Sequence, residues 1–136
     1  MLIVVAALIQ SQGRLLVCQR RRGSNFELMW EFPGGKKHAA ETLEQALARE
    51  LSEELCVTAK IGPEVHRTQH RYAEMTEPIE IVFFAASAAP SDVRNLIFER
   101  IEWREPKTLP GLNFLPADRE LIEKLAAGEI QLPRAG

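Results

Sequence analysis

Three glutamates, Glu50, Glu53 and Glu54, stand at i, i+3 and i+4 in a stretch whose leucines, Leu43, Leu47, Leu51 and Leu55, recur every four residues. On a helix each residue advances about 100°, so with Leu43 at zero the later leucines fall at about 40°, 80° and 120°. Glu54 falls at about 20°, Glu50 at about 340° and Glu53 at about 280°. Solvated acids belong opposite an apolar stripe, whereas these line its edge and two overlap it. Acids this close also repel one another, by about 0.2–0.5 kcal/mol per pair. A hard divalent cation such as Mg2+ or Mn2+ removes the conflict, because it favours carboxylate oxygen. The competing reading is a charged helix flank set by helix propensity alone, and the wheel leaves both open. Arg49, four residues before Glu53, can steady it through an i,i+4 pair.

Ahead of this stretch lies Glu31-Phe32-Pro33-Gly34-Gly35-Lys36-Lys37. Two glycines let backbone approach a ligand closely, and two lysines supply charge for phosphate. Arg20-Arg21-Arg22 adds cations at the end of an apolar run. A solvated strand end accounts equally well for two of those three arginines.

These groups need elements to hold them. Thr42 to Leu55 is the best helix, with Thr42 as N-cap and Gln45 completing a capping box. Leu2–Ile9 and Arg14–Arg20 flank Gln10-Ser11-Gln12-Gly13 and read as a hairpin. Residues 23–33 read as a loop. Val57–Ile61, Val65–Arg71, Ile79–Ser87 and Ile101–Trp103 read as short strands. Pro90, Pro106, Pro110 and Pro116 punctuate the later loops, and a last helix is expected from about Pro116 to Ala127, before Gly128. Strands and helices in this order suggest a mixed sheet with helices on its faces, an α/β fold.

Bulk composition narrows the field. The 136 residues suit one domain over 1–136, and 46% hydrophobic with 26% charged is ordinary globular material. A net charge of -2 argues against a nucleic-acid polymer as partner, while a small polyanion needs only a local basic cluster. Two cysteines, Cys18 and Cys56, argue against a disulfide framework and fit a reducing, cytoplasmic compartment. The apolar run Leu2–Ile9 is far short of the roughly 20 residues a membrane helix needs, and no basic stretch precedes it, so neither a membrane nor a signal peptide is indicated. Nothing in the composition speaks to oligomeric state.

Taken together, Gly35, Glu41 and Arg49-Glu50-Leu51-Ser52-Glu53-Glu54-Leu55-Cys56-Val57 resemble the Nudix box, G-x5-E-x7-R-E-U-x-E-E-x-G-U with U aliphatic. Cys56 alone departs, standing where the family has glycine at the helix end. Leu15 to Arg20, Trp30 to Lys36, Trp103 and Phe114 to Asp118 extend the resemblance to the MutT-like branch over most of the chain. The resemblance implies an α/β/α sandwich around a mixed sheet and metal-dependent hydrolysis of a nucleoside triphosphate to monophosphate and pyrophosphate, with nucleotide-pool sanitation as the setting. It implies Glu50, Glu53 and Glu54 as metal ligands, with Glu53, Glu54 and Arg49 as the catalytic set. A carbonyl of Gly34 or Gly35 and the carboxylate of Glu99 are further implied ligands of Mg2+ or Mn2+. Arg20 and Lys36 would hold phosphate. Leu2, Val4, Phe32, Ile79, Ile81, Phe83 and Asp118 would line the nucleoside pocket, although alternating aliphatic strand residues usually form core. Asp118 stands where the branch can use asparagine to read the base. An ionised aspartate only accepts hydrogen bonds, which would favour bases presenting donors, oxidised dGTP and cytosine nucleotides first. A helix cap is the plainer role for Asp118. His38, His66 and His70 lack metal-ligand spacing, and Tyr72 on a strand reads as packing. Two rival readings remain: a Nudix hydrolase of nucleotide sugars or dinucleoside polyphosphates, and a non-catalytic Nudix binding module, which the intact glutamates disfavour.

Overall fold

The computed structural model describes residues 1–73 and 77–133. Strands β1 (Leu2–Ser11) and β2 (Arg14–Gln19) form the expected hairpin, turning through Gln12 and Gly13 at φ 51° and 78°. Two positive φ values in a row make the turn whose twist matches paired strands, and glycine takes the second without penalty. The pair separates beyond Gln10↔Leu15 and Ser11↔Arg14. From there β2 pairs with β3 (Trp30–Glu31) and β7 (Arg100–Arg104), and β1 with β4 (Gly34–Lys36) and, in parallel, β6 (Ile79–Ser87). Strand β5 (Lys60–His70) is outermost in a seven-stranded mixed sheet ordered β3-β2-β1-β6-β5, with β4 against β1 and β7 against β2.

The apolar runs divide by parity between two cores. Val5, Ala7, Ile9, Leu16, Cys18, Val82 and Phe84 face Ala46, Leu47, Leu51 and Leu55 of helix α1 (Leu43–Leu55). Ala6, Leu8, Leu15, Val17, Ile81 and Phe83 face Leu121, Ile122 and Leu125 of helix α2 (Arg119–Ala126). Burial on both sheet faces explains why β1 and β6 read as continuous apolar runs rather than alternating ones. The α/β/α sandwich is therefore present.

Three expectations need correction. The loop expected over residues 23–33 contains β3, and the Gly34–Lys36 turn is itself strand β4. The strands expected at Val57–Ile61 and Val65–Arg71 are one strand, starting at Lys60, with register shifts between Ile61 and His66 around Gly62 and Pro63. Pro63 has no N–H to give a ladder, so an outer strand with a bulge is where it fits. The last helix begins at Arg119, because Pro116–Asp118 forms a tighter 3-10 turn. Among the described residues no helix is long and apolar enough to cross a membrane.

Candidate active site

Helix α1 starts as its sequence requires. Thr42 Oγ1 accepts from Gln45 N at 3.1 Å, and Thr42 N donates to Gln45 Oε1 at 2.9 Å. With Leu47, Leu51 and Leu55 fully buried, the wheel places Glu50 and Glu54 at the rim of the packed face. Glu54 turns toward β4, where Gly34 N donates to its Oε1 at 3.1 Å.

Strand β4 explains the glycines. Gly34 sits at φ 156°, and a Cβ there would lie 1.9 Å from the Val5 carbonyl oxygen. Its close approach is thus to β1. A Cβ on Gly35 would lie 2.5 Å from the Glu50 carboxyl carbon. The glycine pair is the floor on which both carboxylates rest.

Burial and the neighbouring Glu50 charge push the Glu54 carboxyl up to about 8, against the pull of the Gly34 N–H. A carboxylate forced to hold a proton beside a second acid lacks counter-charge, and hard oxygen donors against glycine backbone fit a divalent cation. Glu53 stands apart, 59% exposed. Among the described residues no three His, Cys, Asp or Glu side chains gather as a ready-made cation cage.

Arg49 ties this region together. Its Nε donates to Glu41 Oε2 at 2.6 Å, its Nη2 to Glu41 Oε1 and the Lys36 carbonyl at 3.0 Å each. Its Nη1 donates to Glu50 at 2.9 Å and Glu53 at 3.4 Å. The expected pair with Glu53 is present but longest; Glu41 is the main partner, and Arg49's hydrogen bond holds that carboxyl down at about 2. Arg49 fastens the helix to β4 and bonds Glu41, Glu50 and Glu53 at once.

From Glu54 a cleft of about 250 Å3 runs past Gly34, Gly35, Lys36 and Arg20 to Phe32, Ile79, Ile81 and Asp118. The structure thus brings most of the expected site residues into one cavity. Phe83 is not among its walls: it is fully buried, edge-on beneath Phe32 at 6.3 Å between centroids. Leu2 also lies outside the lining, while Val4 belongs to it. Glu99 is not in the cleft either; its carboxylate accepts from Arg22 N at 3.0 Å.

Asp118 is the one buried charged residue among those described. It precedes α2 and makes no side-chain capping bond there. Burial first, then the Glu31 charge, push its carboxyl up to about 8. Burial thus favours the protonated form of Asp118, which can donate as well as accept. A protonated Asp118 would add a donor to the acceptor-only edge expected of an ionised aspartate.

Two polar residues of the cleft, Glu31 and Tyr72, were not among the expected site residues. Glu31 lies between the ends, accepting from Arg20 Nη1 at 3.2 and 3.3 Å, while Arg20 Nε donates to the Asn25 carbonyl at 2.7 Å. An acid within Trp30-Glu31-Phe32-Pro33 was the available signal. Tyr72, read as packing, lines the cleft.

This arrangement can bind a polyphosphate at one end and a flat polar ring at the other. The family model described as NUDIX domain matches residues 4–124. The chain is 34% identical over 123 residues to an 8-oxo-dGTP diphosphatase of Haemophilus influenzae, covering 90% of this chain and 89% of that one. It is 33% identical over 130 residues to the CTP pyrophosphohydrolase of Escherichia coli, covering 93% of each. The solution structure of the E. coli ORF135 protein superposes with a TM-score of 0.80 at 30% identity, over 95% of this chain and 91% of that one.

Proposed function

The chain belongs to the NUDIX domain family, and on that footing we propose that it hydrolyses a nucleoside triphosphate to the monophosphate and pyrophosphate. The observation that carries this reading is the single cleft that joins Glu54, Arg20 and Lys36 to a buried pocket ending in Asp118. Names of the relatives, 8-oxo-dGTP diphosphatase and CTP pyrophosphohydrolase, support a triphosphate and leave oxidised dGTP and cytosine nucleotides as leading candidates. The reaction is the same in either case. A water oxygen bonds to one phosphorus of the α–β anhydride as the bridging P–O bond breaks, the water gives up a proton, and monophosphate and pyrophosphate separate.

Glu50 and Glu54, with Glu53 swung in and a carbonyl of Gly34 or Gly35, would hold Mg2+ or Mn2+. Such a cation supplies charge neutralisation at the phosphates and a more acidic bound water. One acid of this helix, Glu53 or Glu54, would take the water's proton once a cation has drawn Glu54 into its ionised form. Arg20 and Lys36 hold phosphate oxygens, and Arg49 keeps the helix in register with β4. Phe32, Ile79 and Ile81 form the apolar wall, and Asp118 meets the base edge. Two free cysteines fit a reducing compartment, so we place this activity in the cytoplasm.

The test is a panel of triphosphates, oxidised dGTP and nucleotide sugars, with and without Mg2+, and with products identified. Monophosphate plus pyrophosphate, abolished by chelator, is expected. Glu54→Gln should lower kcat at least a hundredfold with little change in KM, because the lost group acts in the transition state. Near-wild-type turnover in Glu50→Gln, Glu53→Gln and Glu54→Gln alike would falsify the catalytic role of this helix.

A further inference from the structure

Helix α1 carries Glu54 in its last turn, so whatever holds that turn bears on the chemistry of the cleft. The last four carbonyls of a helix have no partner within it. Ser52 O accepts from Cys56 N at 3.0 Å. The Glu54 and Leu55 carbonyls are met from outside the helix. Leu96 N donates to the first at 3.0 Å and Arg94 N to the second at 2.8 Å. No basic side chain stands in the last turn of α1 to serve instead. The turn that carries Glu54 is thus closed by the loop that leads into β7.

That loop, residues 94–99, is itself held in one shape. Asn95 Nδ2 donates to the Phe98 carbonyl at 2.9 Å, and Phe98 N donates to Asn95 Oδ1 at 2.8 Å. A primary amide can do both at once, whereas a carboxylate can only accept. Val93 and Phe98 anchor the segment in the α1-side core, and Glu99 N donates to the Gln19 carbonyl at 2.9 Å. Between the anchors, Ile97 stands in the wall of the cleft that also holds Glu54. Core packing explains Val93 and Phe98. It does not explain Asn95, which is exposed and whose amide closes the turn that presents Leu96 N to α1.

We propose that residues 94–99 cap the C-terminal end of α1 from outside it and that Asn95 is a positioning residue, fixing the loop whose N–H groups hold the turn that carries Glu54. The proposal rests on the reading of Glu54 above and adds what keeps that acid against β4. Helix ends fray where their carbonyls lack partners. A frayed last turn carries the Glu54 carboxylate away from the Gly34 amide.

Gly34 N reports this placement without any turnover. Its acceptor is Glu54 Oε1, at 3.1 Å, whereas Ala7 N and Lys37 N bond across the β1–β4 pair to the Pro33 and Ile3 carbonyls, at 2.9 Å each. Amide hydrogen exchange followed by NMR on the nucleotide-free protein reads all three. Asn95→Ala should speed exchange at Gly34 by about threefold or more and leave Ala7 and Lys37 as in wild type. Leu96→Pro, which removes one N–H, should do the same, and Leu96→Ala, which keeps it, should exchange as wild type does. Asn95→Asp retains an acceptor for Phe98 N but no donor, and should fall between. In steady-state assays Asn95→Ala should lower kcat about tenfold with KM within about twofold, the split a misplaced acid gives. Asn95 is exposed, so its truncation leaves the core closed and the test stands even if Leu96→Pro does not fold. The proposal is overturned by wild-type exchange at Gly34 in Asn95→Ala, by equal acceleration at Gly34, Ala7 and Lys37, or by Leu96→Ala matching Leu96→Pro. Faster exchange at Gly34 with kcat unaltered would also sink it. Wild type that hydrolyses no triphosphate while these exchange differences hold would reject the reaction and keep the cap.

Discussion

Asp118 shows how far one side chain's surroundings alter its chemistry. Its ordinary value is 3.8, and the fold raises it to about 8, so the folded state prefers the neutral acid. A raised value means that its stabilising contribution is complete below pH 4 and is lost as pH rises toward 8. Asp118→Asn keeps the shape without the charge. The variant should melt close to wild type at pH 4 and above it by pH 8, the difference growing across that window to about 1–3 kcal/mol. Thermal melts from pH 4 to 9 check this, and a difference independent of pH would refute it. Cys56 is a second residue out of its usual setting. It caps α1 at φ 51°, ψ 38°, the left-handed conformation that the family's glycine takes without cost. Cys56→Gly should therefore gain about 1 kcal/mol in denaturant melts with turnover unchanged. A large loss of activity in a folded variant would assign the thiol a chemical role.

Among the elements, β4 has only the residues Gly34–Lys36 yet sets the height of both acids above the sheet. Its two glycines predict opposite behaviour. A methyl group on Gly34 meets the Val5 backbone, which cannot yield, so Gly34→Ala should lower the melting temperature by several degrees. The methyl group of Gly35→Ala meets only the end of the Glu50 side chain, which can swing away. That variant should fold normally and lose at least tenfold in kcat. Circular dichroism melts beside steady-state kinetics separate the two, and equal melting temperatures would remove the distinction. The same strand shows what sequence can and cannot disclose. Helix α1, its cap and its acids were legible because they lie within fourteen consecutive residues, Thr42 to Leu55, and follow one period. Strands β3 and β4 were not, being too short to show any period. Glu31 and Tyr72 became site residues only through tertiary placement, 41 positions apart in a chain that folds them onto one cavity. Phe83 erred the other way: alternation put it on the correct face of β6, but Phe32 lies between it and the cleft.

At the scale of the whole molecule, two cores separated by one sheet leave the phosphate end of the cleft anchored to α1 and the base end to the α2 side. A nucleotide bound along the cleft as proposed would touch both halves at once, and a tight one should raise the melting temperature of the intact protein through linkage alone. The sheet also has an outer margin, β5, whose eleven residues would offer a long row of free amide and carbonyl groups to a passing chain. The bulges around Gly62 and Pro63 interrupt that row, and Arg67, flanked by Glu64 and Glu80, sets charge along it. Such features discourage strand-to-strand recruitment between molecules. Pro63→Val restores an amide and a β-branched side chain at the interruption. It should leave the activity intact while shortening the lag before light scattering rises in concentrated, warmed solution. If the variant's lag matches wild type, the bulge is ordinary strand geometry. If it shortens as expected, an irregularity that looks like imperfect pairing in one molecule is a guard against templated aggregation among many.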